Sequence, residues 1–294
     1  MENKLLVVLV VVGLCSTVAL ALDPLGPPTA GLKAGKFSTA LEYAHSKMDL
    51  EMSGMKWSES EIEVEVDDGG SWSDSGTYKS KGLKDLKQNK VYANIGYGIT
   101  DYWEVFLRLG GSDIDAKWDE RDPLGDPNES ENYDIDTSMS FVWGLGTKAT
   151  FYKEGNLSLG ALFQIHFSDF ELDRGSSYAY SGTTYWEKGT EKMELNFTEM
   201  QLAVGPTYEL APGFCVYGGG FWHDVDGEYK ENDREIDSDG NSETDKKSAD
   251  IKEESSFGGY IGLKADIAEN TSLNGEWQHT SDADLFAATL VFRF

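Results

Sequence analysis

The segment Lys90–Gly110, KVYANIGYGITDYWEVFLRLG, contains two runs of alternating side chains joined by a short polar break. In the first run, apolar residues at every second position from Val91 alternate with Gly, Asn or Tyr, and the second run alternates from Trp103 onward. A period of two residues is the pattern of a β-strand with two different faces. The break at Thr100–Tyr102 is a turn signal, so the segment predicts an antiparallel hairpin.

The same unit recurs along the chain. Pairs of alternating runs surround tight turns near residues 154, 212 and 269, and single runs lie at 37–46 and 286–294. This pattern predicts ten strands.

The connections between the strands alternate in length. The tight turns alternate with long polar segments at 53–87, 112–136, 169–194 and 227–255. All long connections then lie at one end of the sheet, which is typical of a transmembrane barrel with an even number of strands. Two of the long segments, near Asp67–Gly70 and Ser181–Gly182, contain turn signals of projecting hairpins.

Charge narrows the range of partners. The chain has 294 residues, with 52 acidic and 25 basic side chains and a net charge of −27. The four long segments hold 35 of the acids and 15 of the bases, a net of −20. A protein that binds nucleic acid needs a basic surface for the phosphates, so this class of partner is excluded.

The N-terminus has the features of an export signal. Lys4 precedes an apolar run at 5–14, and Ala19-Leu20-Ala21 supplies a small-x-small cleavage site. We therefore predict a signal peptide at 1–21. The Pro- and Gly-rich stretch 22–35, LDPLGPPTAGLKAG, has no period and is predicted to be a periplasmic N-terminal linker, followed by a barrel domain at 36–294.

Two stretches carry a resemblance. The closing residues Leu290–Phe294, LVFRF, and the hairpin at 96–105, GYGITDYWEV, resemble bacterial outer-membrane β-barrels of the general small porin-like class. This implies an all-β fold: a transmembrane antiparallel up-and-down barrel of about ten strands with short periplasmic turns and long acidic extracellular loops. It also implies a Gram-negative outer membrane, contact with its lipid, and insertion by the barrel assembly machinery. The resemblance implies no substrate, because barrels of this size have many functions.

The strand alternation assigns the two faces of the wall. Leu107, Phe163 and Leu263 are predicted to face lipid, and the residues that follow them, including Gln164, to face the lumen. Nine charged residues then form a predicted lumen charge network: Lys90, Glu104, Arg108, Lys148, Glu199, Lys264, Asp266, Glu276 and Arg293. Because ten strands are close to the number at which side chains fill a barrel, we expect at most a narrow channel. The leading hypothesis is a porin-like or structural surface protein that is not an enzyme.

One loop suggests a metal. Glu235, Asp237, Asp239 and Asn241 alternate as oxygen donors before and after Gly240, as at the start of a calcium loop. Lys246 stands where the bidentate Glu of a high-affinity loop is expected, so the prediction is a weak calcium site at most in an otherwise disordered acidic loop. We predict no other cofactor.

Two alternatives remain. The first is an adhesion or ligand-binding barrel that acts through its acidic loops, with an unknown extracellular ligand. The second is a hydrolase similar to the omptin proteases, which are ten-stranded barrels with paired aspartates and an Asp-His pair at the rim. Its candidates are Asp113 with Asp115, and His223 with Asp224 and Asp226. The order of His and Asp and the short last loop depart from the omptin pattern.

Overall fold

The strands are described by a computed structural model for residues 22–62, 71–78, 82–120, 131–179, 186–253 and 256–294. The predicted signal peptide and both predicted hairpin turns lie outside these ranges. Within them, no helix has the length and apolarity to span a membrane. The strands are β1 Phe37–Ile62, β2 Ser71–Tyr78, β3 Leu83–Thr100, β4 Trp103–Glu120, β5 Glu131–Asp136, β6 Ser140–Glu154, β7 Leu157–Ala179, β8 Trp186–Ala211, β9 Phe214–Asp237, β10 Ser242–Glu253, β11 Phe257–Ala268, β12 Thr271–His279 and β13 Ala283–Arg293.

Ten of these strands close a ring. β1 pairs with β3 on one side and with the last strand, β13, on the other. The ring order is β1, β3, β4, β6, β7, β8, β9, β11, β12, β13 and back to β1, with every pairing antiparallel. The predicted up-and-down barrel of ten strands is confirmed. A closed ring satisfies the backbone of every strand and leaves no edge at the level of the wall.

The turns at one end of the barrel are as short as predicted. Two residues separate β3 from β4, β6 from β7, β8 from β9 and β11 from β12. Gly155 and Gly213 lie in two of these turns with φ of 55° and 77°. Only glycine adopts such angles without steric cost, so these positions fix the hairpins. We call this the short-turn end and the opposite end the long-loop end.

At the long-loop end the strands continue beyond the ring. Upper β1 pairs with β2 on one side and β10 on the other, β10 pairs with upper β9, and β9 pairs with β8 and β8 with β7. We call this six-stranded extension the upper sheet. The expectation of a disordered acidic loop around 235–246 is therefore wrong, because β9 and β10 form a hairpin there. Paired backbone groups order these polar segments, and Met55, Tyr229 and Ile251 of the upper sheet belong to the buried apolar cluster.

The wall has an apolar outer face. Exposed side chains on this face include Leu41, Val91, Ile95, Leu109, Leu145, Phe163, Leu202, Val204 and Ile261, with Trp103, Trp143, Tyr97, Tyr208 and Trp277 among the aromatic ones. Arg108 and Gln164, which are next to Leu109 and Phe163 in the sequence, point inward and are buried. An outer apolar band with aromatic residues is the surface of a barrel that faces lipid.

The interior has two different halves. In the long-loop half, apolar side chains fill the barrel, among them Met48, Leu50, Met52, Met55, Leu83, Leu86, Ile114, Phe170, Met193, Leu195, Val225, Tyr229, Ile251 and Leu285. In the short-turn half, buried polar and charged side chains lie beside a few apolar ones such as Leu162, Ala203 and Tyr217. The chain preceding β1 occupies this polar half.

Candidate functional site

The residues before β1 lie inside the barrel. We call Leu22–Lys36 the N-terminal segment. It enters at the short-turn end, where the N–H of Gly35 donates to the carbonyl of Gly98 at 2.8 Å, and it ends at Leu22 and Asp23, both 0% exposed. The prediction of a periplasmic linker at 22–35 is therefore wrong. The stretch shows no period because its backbone is bound by side chains of the wall and not by a neighbouring strand.

Two wall carboxylates bind consecutive N–H groups of this segment. Glu276 on β12 accepts hydrogen bonds from the N–H groups of Leu25 and Gly26 at 2.8 and 2.7 Å. Glu104 on β4 accepts from those of Gly31 and Leu32 at 2.7 and 3.0 Å. Charged acceptors make strong hydrogen bonds. Two of the nine predicted network residues thus hold the backbone of the N-terminal segment.

Glycines in the wall allow the segment to approach closely. A Cβ on Gly160 of β7 would lie 2.6 Å from the carbonyl oxygen of Pro28 and 2.9 Å from the Cα of Thr29. A Cβ on Gly98 of β3 would lie 2.2 Å from the carbonyl oxygen of Lys33. Real Cβ contacts are never that short, so any larger side chain here would displace the segment.

Asp23 is the centre of the contacts at the inner end of the segment. Its Oδ1 lies 3.2 Å from Lys90 Nζ and accepts the Tyr92 hydroxyl at 2.8 Å, and its Oδ2 lies 2.7 Å from His166 Nδ1. Lys90 also donates to Glu199 at 3.0 Å. A buried carboxylate requires such partners, since burial without them disfavours its charged form.

Arg108 connects the segment to β1 and β7. Its Nη2 donates to the carbonyl of Pro24 at 2.7 Å, and its Nη1 donates to Gln164 Oε1 at 2.7 Å. Its Nε lies 3.1 Å from Glu42 Oε2. A planar guanidinium with donors in several directions suits this junction of three elements.

A line of three glutamines crosses the lumen. Gln164 donates to Gln201 at 2.6 Å, Gln201 donates to Gln278 at 3.2 Å, and Gln278 donates to the carbonyl of Asp23 at 2.8 Å. All three side chains are buried. The three side-chain amides form hydrogen bonds with one another and with the segment, and they add no charge to the lumen.

A buried histidine joins one further carboxylate, Glu253, to these contacts. His223 on β9 is fully buried, with Nδ1 2.7 Å from Glu253 and Nε2 3.8 Å from Glu199. We call the nine ionisable groups of this region the lumen network: Asp23, Glu42, Lys90, Arg108, His166, Glu199, His223, Glu253 and Glu276. Four of them, Lys90, Arg108, Glu199 and Glu276, belong to the charge network predicted from the sequence. The alternation of residues along the strands places Glu42, His166 and His223 on the inward face, so these three could have been predicted from the sequence. Asp23 lies in a stretch without any alternation.

A cavity of about 90 Å³ lies between the N-terminal segment and the wall. Lys148 lines it and lies 5.7 Å from the centre of the Phe106 ring. Oδ1 of Asn94 and Oδ1 of Asn274, which also line it, have no partner among the described residues. At about 30 Å³ for each water molecule, the volume suits about three waters and is too small for an organic solute.

The remaining predicted charges form a separate group near the short-turn end. Arg293 Nη1 lies 3.6 Å from Asp266 Oδ1, and its Nη2 donates to the Ser272 hydroxyl at 2.7 Å. Lys264 lies on β11, two residues before Asp266. The structure thus separates these three residues from the contacts around Asp23.

The predicted calcium residues lie at the β9–β10 turn. Asp237 Oδ1 accepts from the N–H groups of Asp239 and Asn241, both at 2.9 Å, and its Oδ2 accepts from the Asn241 side chain at 2.8 Å. Desolvation acts to raise the pKa of Asp237, but these hydrogen bonds outweigh it and hold the pKa below its ordinary value. Across the described ranges, no group of three or more His, Cys, Asp or Glu residues is arranged to hold a metal ion.

The candidate protease residues do not meet. His223 faces the lumen, whereas Asp224 and Asp226 follow it on β9 at outward-facing positions. Asp113 accepts hydrogen bonds from Asn89, and Asp115 pairs with Lys87 at 2.9 Å. Neighbouring residues of a strand point to opposite faces, so this sequence cluster cannot form one site.

Comparison with known families gives a match over β7 to β13. The family model for the outer membrane protein beta-barrel domain matches residues 155–294. This match and the closed antiparallel ring identify a bacterial outer-membrane β-barrel of no more specific family. The short-turn end is therefore periplasmic and the long-loop end extracellular, as predicted. No curated protein matches the chain.

Several solved outer-membrane proteins are similar to this barrel at low identity. The outer membrane protease OmpT from Escherichia coli is 12% identical, with 95% of this chain and 99% of that chain covered and a TM-score of 0.41. OprG from Pseudomonas aeruginosa is 12% identical, with 90% and 98% covered and a TM-score of 0.37. The COG4313 outer membrane channel from Pseudomonas putida F1 is 10% identical, with 93% and 100% covered and a TM-score of 0.37.

Proposed function

We propose that the protein is a closed, porin-like structural barrel of the cell surface that is not an enzyme and has no open water path at rest. The observation that carries this proposal is the N-terminal segment in the periplasmic half of the lumen. Eight of its N–H and carbonyl groups are engaged by wall side chains: the N–H groups of Leu25, Gly26, Ala30, Gly31, Leu32 and Ala34 and the carbonyls of Asp23 and Pro24.

A second seal supports the same proposal. The apolar core in the extracellular half offers no group that could replace the hydration shell of an ion, and transfer of an ion through such a region is unfavourable. Phe170 and Leu195, which are directly paired across β7 and β8, are both buried in this core. Removing one seal should therefore leave the other in place.

Single-channel recording in planar bilayers tests the proposal. We expect no steady conductance from the intact barrel or from a variant lacking residues 22–32. The same deletion combined with Phe170→Ser and Leu195→Ser should conduct, because both seals are weakened. Steady conductance from the intact barrel would contradict a closed resting state.

A second candidate is a binding barrel that acts through its upper sheet. Glu59 pairs in register with Asp245, Asp245 with Asp233, and Asp233 with Glu191. Like charges opposite one another destabilise a sheet, so an external cation or cationic ligand would relieve them. Exchange of Glu59, Asp233 and Asp245 for amides should abolish binding of a polylysine probe to reconstituted barrels if this function is correct. Unchanged binding would argue against it.

The partners that we propose follow from the location of the barrel in the outer membrane. Outer-membrane lipid surrounds the apolar band, and the barrel assembly machinery would insert the chain during biogenesis. We propose no cofactor apart from weakly bound calcium at the β9–β10 turn.

A further inference from the structure

The N-terminal segment ends in a closed space. Its contacts run in order from Gly35 at the periplasmic end, through Glu104 and Glu276, to Asp23 beside Lys90. Leu22, at the inner end of the segment, is 0% exposed. Beyond this level the lumen is filled by the apolar core. The inner end of the segment is therefore enclosed by side chains of the wall and of the apolar core.

The lumen network is short of positive charge. It contains five carboxylates, two permanent cations and two histidines. Even with both histidines protonated, the network has five negative and four positive charges. The neighbouring Glu104 and Lys148 add one charge of each sign and leave this difference unchanged. An uncompensated buried charge is costly, so a further cation is expected in this region.

Unpartnered oxygens point to the same deficit. The Glu253 side chain is 2% exposed; its Oε2 lies 2.7 Å from His223 Nδ1, whereas its Oε1 accepts no hydrogen bond from the described residues. Oδ2 of Asp23 likewise lies beside a histidine, 2.7 Å from His166 Nδ1, and not beside a permanent cation. Buried carboxylate oxygens without donors are rare in native proteins.

We infer that the chain is cleaved between Ala21 and Leu22 and that the new α-ammonium group of Leu22 stays in the lumen as the missing cation. Hydrolysis by a peptidase of the export pathway breaks the peptide bond and adds one water. Ala21 leaves with a carboxylate, and Leu22 keeps the amine, which takes up a proton. The group supplies three N–H donors and one positive charge beside Asp23. Processing then completes the charge balance of the lumen network.

Chemical labelling tests the location of the amine. Barrel isolated from outer membranes is treated at pH 7 with an amine-acetylating reagent, and its N-terminal peptide is analysed by mass spectrometry. We expect a chain that begins at Leu22, with an α-amine that is labelled only after unfolding. Lys33, exposed in the same segment, is the internal control and should be labelled in both states. A different first residue, or an α-amine labelled as readily as Lys33 in the folded barrel, would overturn the inference.

An insertion series tests the contribution of the charge. Gly-Ser inserted between Ala21 and Leu22, with cleavage retained before the insert, moves the amine away from Asp23. The same insert after Gly35 lengthens only the exposed end. We expect the first insert to lower the folded-to-unfolded ratio about tenfold more than the second. Glu253→Gln should reduce this difference, because it removes one carboxylate. Equal effects of the two inserts would refute a role for the ammonium group, and this outcome is independent of any conductance.

Discussion

At Lys90, a single ammonium group binds carboxylates from distant parts of the sequence. Asp23 lies in the N-terminal segment, Glu199 lies on β8, and the Lys90 side chain is 1% exposed. The attraction between such groups offsets their desolvation only when every partner remains in place. The residue therefore ties the segment to the wall and makes the fold sensitive to the loss of one charge.

Replacement of Lys90 by Met should strongly destabilise the barrel. The change leaves Asp23 and Glu199 buried without their shared cation, and we expect a loss of about 3–5 kcal/mol in the free energy of unfolding. Reversible urea unfolding in detergent, followed by tryptophan fluorescence, measures it. Lys87→Met is the matched control, since Lys87 forms a largely exposed pair with Asp115 and should lose about 0–1 kcal/mol. Similar losses at the two positions would contradict the buried network.

Residues on the outer face should respond to depth in the membrane. Leu145 lies near the middle of β6 and is 48% exposed, whereas Phe151 lies near its periplasmic end and is 62% exposed. We expect Leu145→Arg to cost about 2–4 kcal/mol and Phe151→Arg about 0–1 kcal/mol in refolding into lipid vesicles. A cost that does not depend on depth would show that this face does not contact the hydrocarbon.

At the scale of elements, the strands could be predicted from the sequence because alternation is a local pattern. Parity alone assigned Lys90, Arg108 and Glu199 to the lumen. The N-terminal segment could not be predicted, because its partners are side chains on strands far away in sequence. Pairing of Asp23 with Lys90 depends on closure of the ring, and nothing near Asp23 in the sequence indicates it. The β9–β10 hairpin was missed for a related reason, since its acidic composition resembles that of disordered loops.

The fit between segment and wall can be tested at Gly160. A methyl group there would collide with the carbonyl of Pro28, so Gly160→Ala should displace the segment and increase its cleavage by protease added from the periplasmic side. Gly220→Ala is the matched control, because the atom nearest to its added Cβ lies 3.8 Å away. Protease fragments are measured on reconstituted barrels. Equal protection in the two variants would show that the segment does not depend on this close approach.

The β9–β10 turn should depend on pH through Asp237. Its folded pKa is below the ordinary value, so the stabilising contribution is complete above the ordinary pKa of about 3.9 and is lost as the pH falls through the folded value. We expect the amides of Asp239 and Asn241 to lose protection from hydrogen exchange below about pH 4. Asp237→Ala should remove this pH dependence and leave little protection at any pH. Persistence of the dependence in that variant would assign it to another group.

For the whole molecule, the dominant property is a net charge of −27 that is concentrated outside the membrane. Burial and the neighbouring carboxylates of Glu59 and Glu61 raise the pKa of Glu243, and burial raises the pKa of Asp233 and Asp245. An acid with a raised folded pKa adds stability as the pH falls below that value, because the folded state then binds more protons. The upper sheet is thus under electrostatic repulsion at neutral pH.

Divalent cations should relieve this repulsion. We expect millimolar calcium to protect the β9–β10 hairpin from protease with little change in the circular dichroism of the barrel. Asp237→Asn combined with Asp239→Asn should weaken the protection if the turn is the preferred site. Sodium at matched ionic strength is the control. If sodium protects equally well, or if the double variant behaves like the parent, the effect is general screening and the turn binds no calcium.

The seam of the ring has a consequence for the order of assembly. It joins Ser38–Met48 of β1 to Ala283–Arg293 of β13, so the last closure brings together the two ends of the sequence and carries a high entropic cost. The N-terminal segment contacts β3, β4, β7 and β12. These contacts join strands from both halves of the chain. We therefore expect loss of the segment to slow refolding more than it speeds unfolding, as measured by stopped-flow fluorescence.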